Sequence, residues 1–284
     1  MNRRDFLTGA AAGIGAAYLP SPSLAAALNG PAAKYQAHDR VILGKTGIET
    51  SRLAMGTGTI GGGGASNQTR SGALTALLLS GFNSGLTFFD TADSYGSHPE
   101  VAAALQQIPR EKAVVMTKCD SRDPAQAKAD VDRYLRELKT DYIDILLIHC
   151  VTEDDWTTRY RGVMDVFSEA KEKGKIRAHG VSCHSIEALR AASASPWVEV
   201  DLVRMNPVGA IMDAHPEVVT SVVKEMKAQG KGIVGMKILG QGAMRTRQDE
   251  AIRYALRNGV LDAFTIGAEN HGEQQDLIRR IAAA

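Results

Sequence analysis

Disulfide bonds have little to work with in this chain, which holds three cysteines, Cys119, Cys150 and Cys183, among 284 residues. So few, so scattered, exclude a disulfide framework, and the lack of any Cys-x-x-Cys spacing argues against a metal or redox centre. An excess of charge of one sign is also missing, with 33 basic against 32 acidic residues. That balance removes the electrostatic case for a nucleic acid or an anionic membrane surface and leaves small molecules as the expected partners. No Gly-x-Gly-x-x-Gly follows the first predicted strand and opens a helix, which counts against the open-sheet dinucleotide fold. What the chain does have is a hydrophobic content of 44%, ample for a core.

The N-terminus stands apart. Asn2-Arg3-Arg4-Asp5-Phe6-Leu7 leads into apolar and small residues up to Leu19, Pro20 and Pro22 end the run, and Ala25-Ala26-Ala27 offers a small-residue cleavage site. The run is too short and too rich in Ala and Gly for a membrane span, and it looks like a twin-arginine export signal. The expectation is a signal peptide over 1–27, a spacer over 28–39, and a single domain over 40–284 exported already folded to the bacterial periplasm by the twin-arginine machinery, with no stable membrane span after cleavage. The alternative is a basic tail on a cytoplasmic protein.

Beyond the spacer, residues 40–48 read as a β-hairpin around a Gly-containing turn that could plug a barrel floor. Short apolar runs then alternate with amphipathic stretches. Strands are predicted over 51–56, 86–90, 113–118, 142–149, 178–182, 201–205, 232–238 and 263–266. Helices are predicted over 69–84, 99–107, 124–138, 161–173, 186–192, 216–229, 248–258 and 273–283. Pro124 suits a first helical turn, and Gly174 and Gly230 act as stops. Strict alternation at this count favours a (β/α)8 TIM barrel with an N-terminal β-hairpin, an open doubly wound sheet being the alternative.

Polar residues end three successive predicted strands: Asp90, with Tyr95 beyond it, then Lys118, then His149. In a barrel these converge at the mouth where active sites sit. Phe89-Asp90-Thr91-Ala92-x-x-Tyr95-Gly96, Thr117-Lys118, Ile148-His149 and, upstream, Leu43-Gly44-Lys45-Thr46-Gly47 together resemble the aldo-keto reductase family. The resemblance implies an NAD(P)-dependent oxidoreductase in which Tyr95 gives or takes a proton, Lys118 tunes it, Asp90 holds Lys118, and His149 orients and polarises the carbonyl. A free tyrosine titrates near pKa ~10, and a neighbouring ammonium would lower that value.

The resemblance also places the cofactor against Ser182, Cys183, Met236, Lys237, Leu239, Gly240, Gly242, Gly267, Glu269 and Gln274. Here the pattern departs from the family's. Cys183 stands where an asparagine is usual and Met236 where an aromatic residue stacks on nicotinamide; the thioether is a polarizable substitute. Segment 266–275 carries Glu269 and Glu273 and no basic residue for a 2′-phosphate, so NAD is open beside the family's NADP. The chain ends without a long loop over the pocket, which suggests an open site for a polar carbonyl or alcohol substrate, such as a sugar. Because Lys118 and His149 would face the barrel axis, Cys119 and Cys150 should face the helices. Two readings compete with hydride transfer: a non-redox isomerase, epimerase or lyase using Tyr95 and Lys118, and a ligand-binding barrel without turnover.

Overall fold

The computed structural model describes residues 35–284. The expected signal peptide and residues 28–34 of the spacer lie outside the described residues. Alternation of apolar residues builds two layers here, because successive side chains of a strand point to opposite faces. One face, with Ala54, Phe88, Val114, Met116, Ile145, Leu147, Ala178, Val200 and Val234, fills the inside of a barrel. The other, with Phe89, Val115, Leu146, Ile148, Val181 and Val203, packs under the helices.

A short antiparallel pair, β1 (Arg40–Ile42) and β2 (Glu49–Ser51), precedes the barrel. The barrel strands are β3 (Leu53–Gly56), β4 (Phe88–Asp90), β5 (Val114–Cys119), β6 (Ile143–Val151), β7 (Ile176–Cys183), β8 (Val200–Arg204), β9 (Gly232–Met236) and β10 (Ala263–Ile266). All neighbours are parallel, and β10 pairs back onto β3 through Phe264 opposite Leu53 and Ile266 opposite Met55. That pairing closes the sheet, so the expected TIM barrel with its N-terminal hairpin is what forms. Closure also explains why the strands read as continuous apolar runs, since both faces are buried.

The helices are α1 (Asn67–Ser71), α2 (Leu74–Asn83), α3 (His98–Leu105), α4 (Pro124–Leu138), α5 (Trp156–Arg159), α6 (Arg161–Glu172), α7 (Ile186–Ala194), α8 (Pro216–Ala228), α9 (Gln248–Arg257) and α10 (His271–Ala283). In α4 the Asp123 side chain accepts from the backbone N–H of Gln126 at 2.8 Å, Pro124 occupies the first turn, and Ala127, Val131, Tyr134 and Leu138 form the buried face. Losing such a cap typically costs about 1 kcal/mol. The single helix expected over 69–84 is instead two, because Gly72, at φ 65°, ends α1 with a left-handed cap. None of the helices among the described residues is long and apolar enough to cross a membrane.

The hairpin is longer than expected: its return strand is Glu49–Ser51, and the first barrel strand begins only at Leu53. Its turn does plug the floor. Leu43 and Ile48 are fully buried in the barrel-interior cluster. Lys45 N–H donates to the carbonyl of Gly230 at 2.8 Å. Gly44, at φ 50°, approaches so closely that a Cβ there would lie 2.3 Å from the same carbonyl oxygen.

Candidate active site

The opposite end of the barrel, at the carboxyl ends of the strands, gathers the polar residues. Asp90 follows Phe88 on the inward face of β4, and Lys118 follows Met116 on the inward face of β5. Both are buried, and Nζ of Lys118 donates to Oδ1 of Asp90 at 2.6 Å and to the Thr91 carbonyl at 2.7 Å. The second carboxylate oxygen of Asp90 accepts from the Thr265 hydroxyl at 2.7 Å. Burial works against the Lys118 ammonium, but the Asp90 carboxylate and Tyr95 outweigh it and hold the pKa above its ordinary value.

Tyr95 ends a 3-10 turn, Asp93–Tyr95, that Gly96 closes in a left-handed conformation. The turn is anchored from behind by Arg133 of α4, which donates to both oxygens of Asp93 at 2.9 and 2.7 Å, and by the Tyr134 hydroxyl at 3.0 Å. The Tyr95 ring centroid lies 4.8 Å from Nζ of Lys118 and 5.8 Å from the His149 ring, which it meets edge-on. On its other side Gly58 presses against the ring, where a Cβ would stand 2.3 Å from Cε2. Burial pushes the Tyr95 phenol above its usual pKa, and the Lys118 ammonium pulls it back only in part. The expected net lowering is therefore not what burial leaves: without a ligand, the phenol stays protonated.

His149 continues the inward face of β6 after Leu147 and is buried. Its Nδ1 lies 2.7 Å from Oδ1 of Asp120, and burial holds its pKa below the ordinary value although that carboxylate acts the other way. Asp90 and Tyr95 line a cavity of about 350 Å³, whose far wall is built by the segments after β9 and β10. A cavity of that size suits a small organic ligand.

The residues expected to hold a cofactor divide. Met236, Lys237, Leu239, Gly242 and Gly267 line the cavity. Ser182 shares the inward parity of Ala178 on β7; it is fully buried, and its hydroxyl has no partner. A buried hydroxyl without a hydrogen bond carries a penalty that a bound polar group would remove. Gly240 sits just behind the lining, where a Cβ would lie 3.0 Å from the Cβ of Ala210. Glu269 is outside the lining and accepts from the Asn67 amide at 2.7 Å.

Two of the expected contacts point elsewhere. Cys183 has the outward parity of β7 and sits under the helices, its thiol 3.2 Å from Oδ2 of Asp201, so it cannot reach the cavity. Gln274 is buried between α2 and the barrel wall, donating to the Leu77 carbonyl at 3.0 Å. Cys119 packs among the buried residues under the helices as expected, but Cys150 does not. The register of β6 shifts between Ile148 and Val151, and Cys150, at φ 50°, is turned out to solvent with its sulfur 3.6 Å from Nε2 of His184. An extra residue at a bulge breaks the alternation on which that expectation rested.

Four participants went unseen in the sequence. Asp120 has the parity of Lys118 and was legible as a second inward carboxylate just past β5, whereas Thr265, Gly58 and Asn206 lie in ordinary strand or loop contexts. Buried Asn206 donates to the carbonyls of Ala210 at 2.8 Å and Lys237 at 3.2 Å, tying together the loops after β8 and β9.

The aldo/keto reductase family profile matches residues 52–278. The chain is 29% identical over 189 residues, 58% of its length, to a protein of Escherichia coli (strain K12) named NADH-specific methylglyoxal reductase. It is 32% identical over 161 residues, 51% of its length, to the aldo-keto reductase YhdN of Bacillus subtilis (strain 168). The matches span 57% and 46% of those two relatives, about half their length. The holo form of an aldo-keto reductase from Bacillus halodurans superposes with a TM-score of 0.70 at 18% identity, over 87% of this chain and 91% of that one, a likeness of fold.

Proposed function

Because the chain belongs to the aldo/keto reductase family, we propose that it is an NAD(P)-dependent oxidoreductase moving a hydride between a nicotinamide cofactor and a carbonyl or alcohol, with Tyr95 as proton donor and acceptor. The observation that carries this reading is the buried ammonium of Lys118, bonded to Asp90 at 2.6 Å and set 4.8 Å from the Tyr95 ring at the edge of the cavity.

A bound nicotinamide supplies or accepts the hydride. Ser182, with its free hydroxyl, Met236, with its thioether, and the backbone of Gly242 and Gly267 are the groups that would hold it. In the reducing direction the neutral Tyr95 phenol gives its proton to the carbonyl oxygen, and Lys118 stabilises the phenolate left behind. Asp90 keeps Lys118 charged and aimed, while Thr265 keeps Asp90 from turning. His149, whose ring meets that of Tyr95 edge-on at 5.8 Å, orients the oxygen. Incubating the purified chain with NADH or NADPH and a set of aldehydes, methylglyoxal first, tests the reading through loss of the reduced-nicotinamide absorbance. Consumption of neither nucleotide with any of them would overturn it.

Three finer points complete the proposal. NAD is preferred, because Glu269 and Glu273 can accept ribose hydroxyl hydrogen bonds and repel a 2′-phosphate; the ratio of kcat/KM for NADH and NADPH tests it. The substrate is a polar carbonyl compound. The chain is exported folded by the twin-arginine route, on the strength of Arg3-Arg4-Asp5-Phe6-Leu7 and the small residues that follow. Residues 1–27 fused to a folded reporter should carry it to the periplasm, and replacing Arg3 and Arg4 with lysine should retain it inside.

A further inference from the structure

Among the described residues, the carboxylates around the cavity mouth already have partners. Asp90 holds Lys118 and Thr265, Asp120 holds His149, Asp213 holds Arg204, and Glu153 accepts from the Tyr160 hydroxyl. Two nearby cations have no carboxylate on them: Arg122, which lies over the Tyr160 ring and donates to the backbone carbonyls of Asp120 and His149, and Lys237. Lys237 is the stronger case, because it lines the cavity, is half-buried, and forms no ion pair or side-chain hydrogen bond.

Its position is enforced. Lys237 stands at φ 55°, a left-handed conformation that a lysine rarely adopts, and the Asn206 amide and the Gly240 N–H both hold its carbonyl. Backbone strain of this kind persists where the surroundings over-determine it, and it clusters at ligand clamps. Lys237 lines the same cavity as Asp90 and Tyr95, so an anion held by its ammonium shares the space with the proton-transfer group. Burial and the neighbouring cations Arg204 and Lys118 disfavour that charge, a cost that an anion bound in the cavity would offset.

We propose that Lys237 is the subsite for the carboxylate of an anionic carbonyl substrate, an aldehyde or ketone bearing an acid group, whose carbonyl end reaches Tyr95. This rests on the hydride-transfer reading above and adds the substrate class.

The test compares 4-carboxybenzaldehyde with its methyl ester, two aldehydes that differ in one charge. The full chain should prefer the acid through a lower KM. In Lys237→Met the acid-to-ester ratio of kcat/KM should fall by about ten- to hundredfold, the usual range for a charge-assisted hydrogen bond, and Lys237→Arg should restore most of it. Calorimetric titration with 4-carboxybenzyl alcohol reads the subsite without turnover: the wild-type chain should bind it and Lys237→Met should not. If neither aldehyde is reduced but this binding difference holds, the reductase reading falls and the subsite stands. Equal handling of acid and ester by the wild-type chain would overturn the subsite. So would a loss in Lys237→Met confined to nicotinamide dinucleotide affinity, which would give the ammonium to the cofactor's pyrophosphate.

Discussion

Oδ1 of Asp120 lies 2.7 Å from Nδ1 of His149, and this contact decides which proton the imidazole carries. A carboxylate only accepts, and the Asp120 pKa stays below its usual value because, although burial opposes ionisation, the bond to His149 outweighs it. The neutral ring therefore keeps its proton on Nδ1 and leaves Nε2 bare. To donate toward a carbonyl, His149 must take a second proton, and Asp120 is the group that favours it.

Asp120→Asn removes that anion, so the His149 pKa, already depressed by burial, should fall further. The rate limb that belongs to the charged imidazole should move to lower pH, and kcat at neutral pH should drop about tenfold or more. A pH profile of kcat/KM beside an NMR titration of the His149 ring checks this; a ring that titrates unchanged would refute it.

Tyr95→Phe removes the only phenol on the cavity lining among the described residues and should lower kcat at least about a hundredfold while leaving nucleotide affinity within a few-fold. Lys118→Met should instead keep the phenol and raise its pKa, since the ammonium that opposes the effect of burial is gone. The alkaline limb of alcohol oxidation should then shift to higher pH.

Gly58→Ala places a methyl where the Tyr95 ring now lies, 2.3 Å from Cε2. The ring must move, and displacement of a reacting group by about an ångström costs on the order of a hundredfold in rate. Stability should fall by about 1–3 kcal/mol, as for other overpacked sites. Parallel kcat and thermal-melting measurements separate the two effects, and a variant of unaltered kcat would remove Gly58 from any part in positioning Tyr95.

Asp201 is fully buried under the helices, one of its oxygens has no partner, and burial pushes its pKa up to about 7. The folded value is raised above an unfolded value of about 3.9, so the native state prefers the protonated acid. Its contribution to stability is whole below about pH 4 and is lost as pH rises toward about 7, a few kcal/mol on the linkage relation. Asp201→Asn should flatten that slope, melting above the wild type at pH 8 and near it at pH 4. Parallel melting curves for the two proteins at every pH would show that Asp201 stays ionised in the fold.

The barrel was legible because most of its strands are apolar runs that stop at a polar residue, as Val114–Met116 stops at Thr117 and Lys118. The same punctuation gave Asp90 and His149. Asp120 was missed because a polar residue past the strand end reads as loop, although its parity with Lys118 carried the information. Cys150 was misread because a bulge leaves no mark in local composition, and Gln274 because segment 266–275 was read by likeness rather than by the helical spacing that buries it against Leu77. The net effect of burial on Tyr95 depends on Gly58 and the closed barrel, which no local pattern contains.

The floor plug bears on the order of folding. Leu43 packs against Gly232, and Lys45 bonds Gly230, so the earliest described element meets its partners only after β9 has been made. Strand β3 likewise waits for β10. Contacts this distant in sequence pay loop-closure entropy before they return any stability. Closure is therefore one late event, and until it happens an incomplete chain exposes two unpaired strand edges and an open apolar floor, which makes every truncation short of Ile266 a candidate for aggregation.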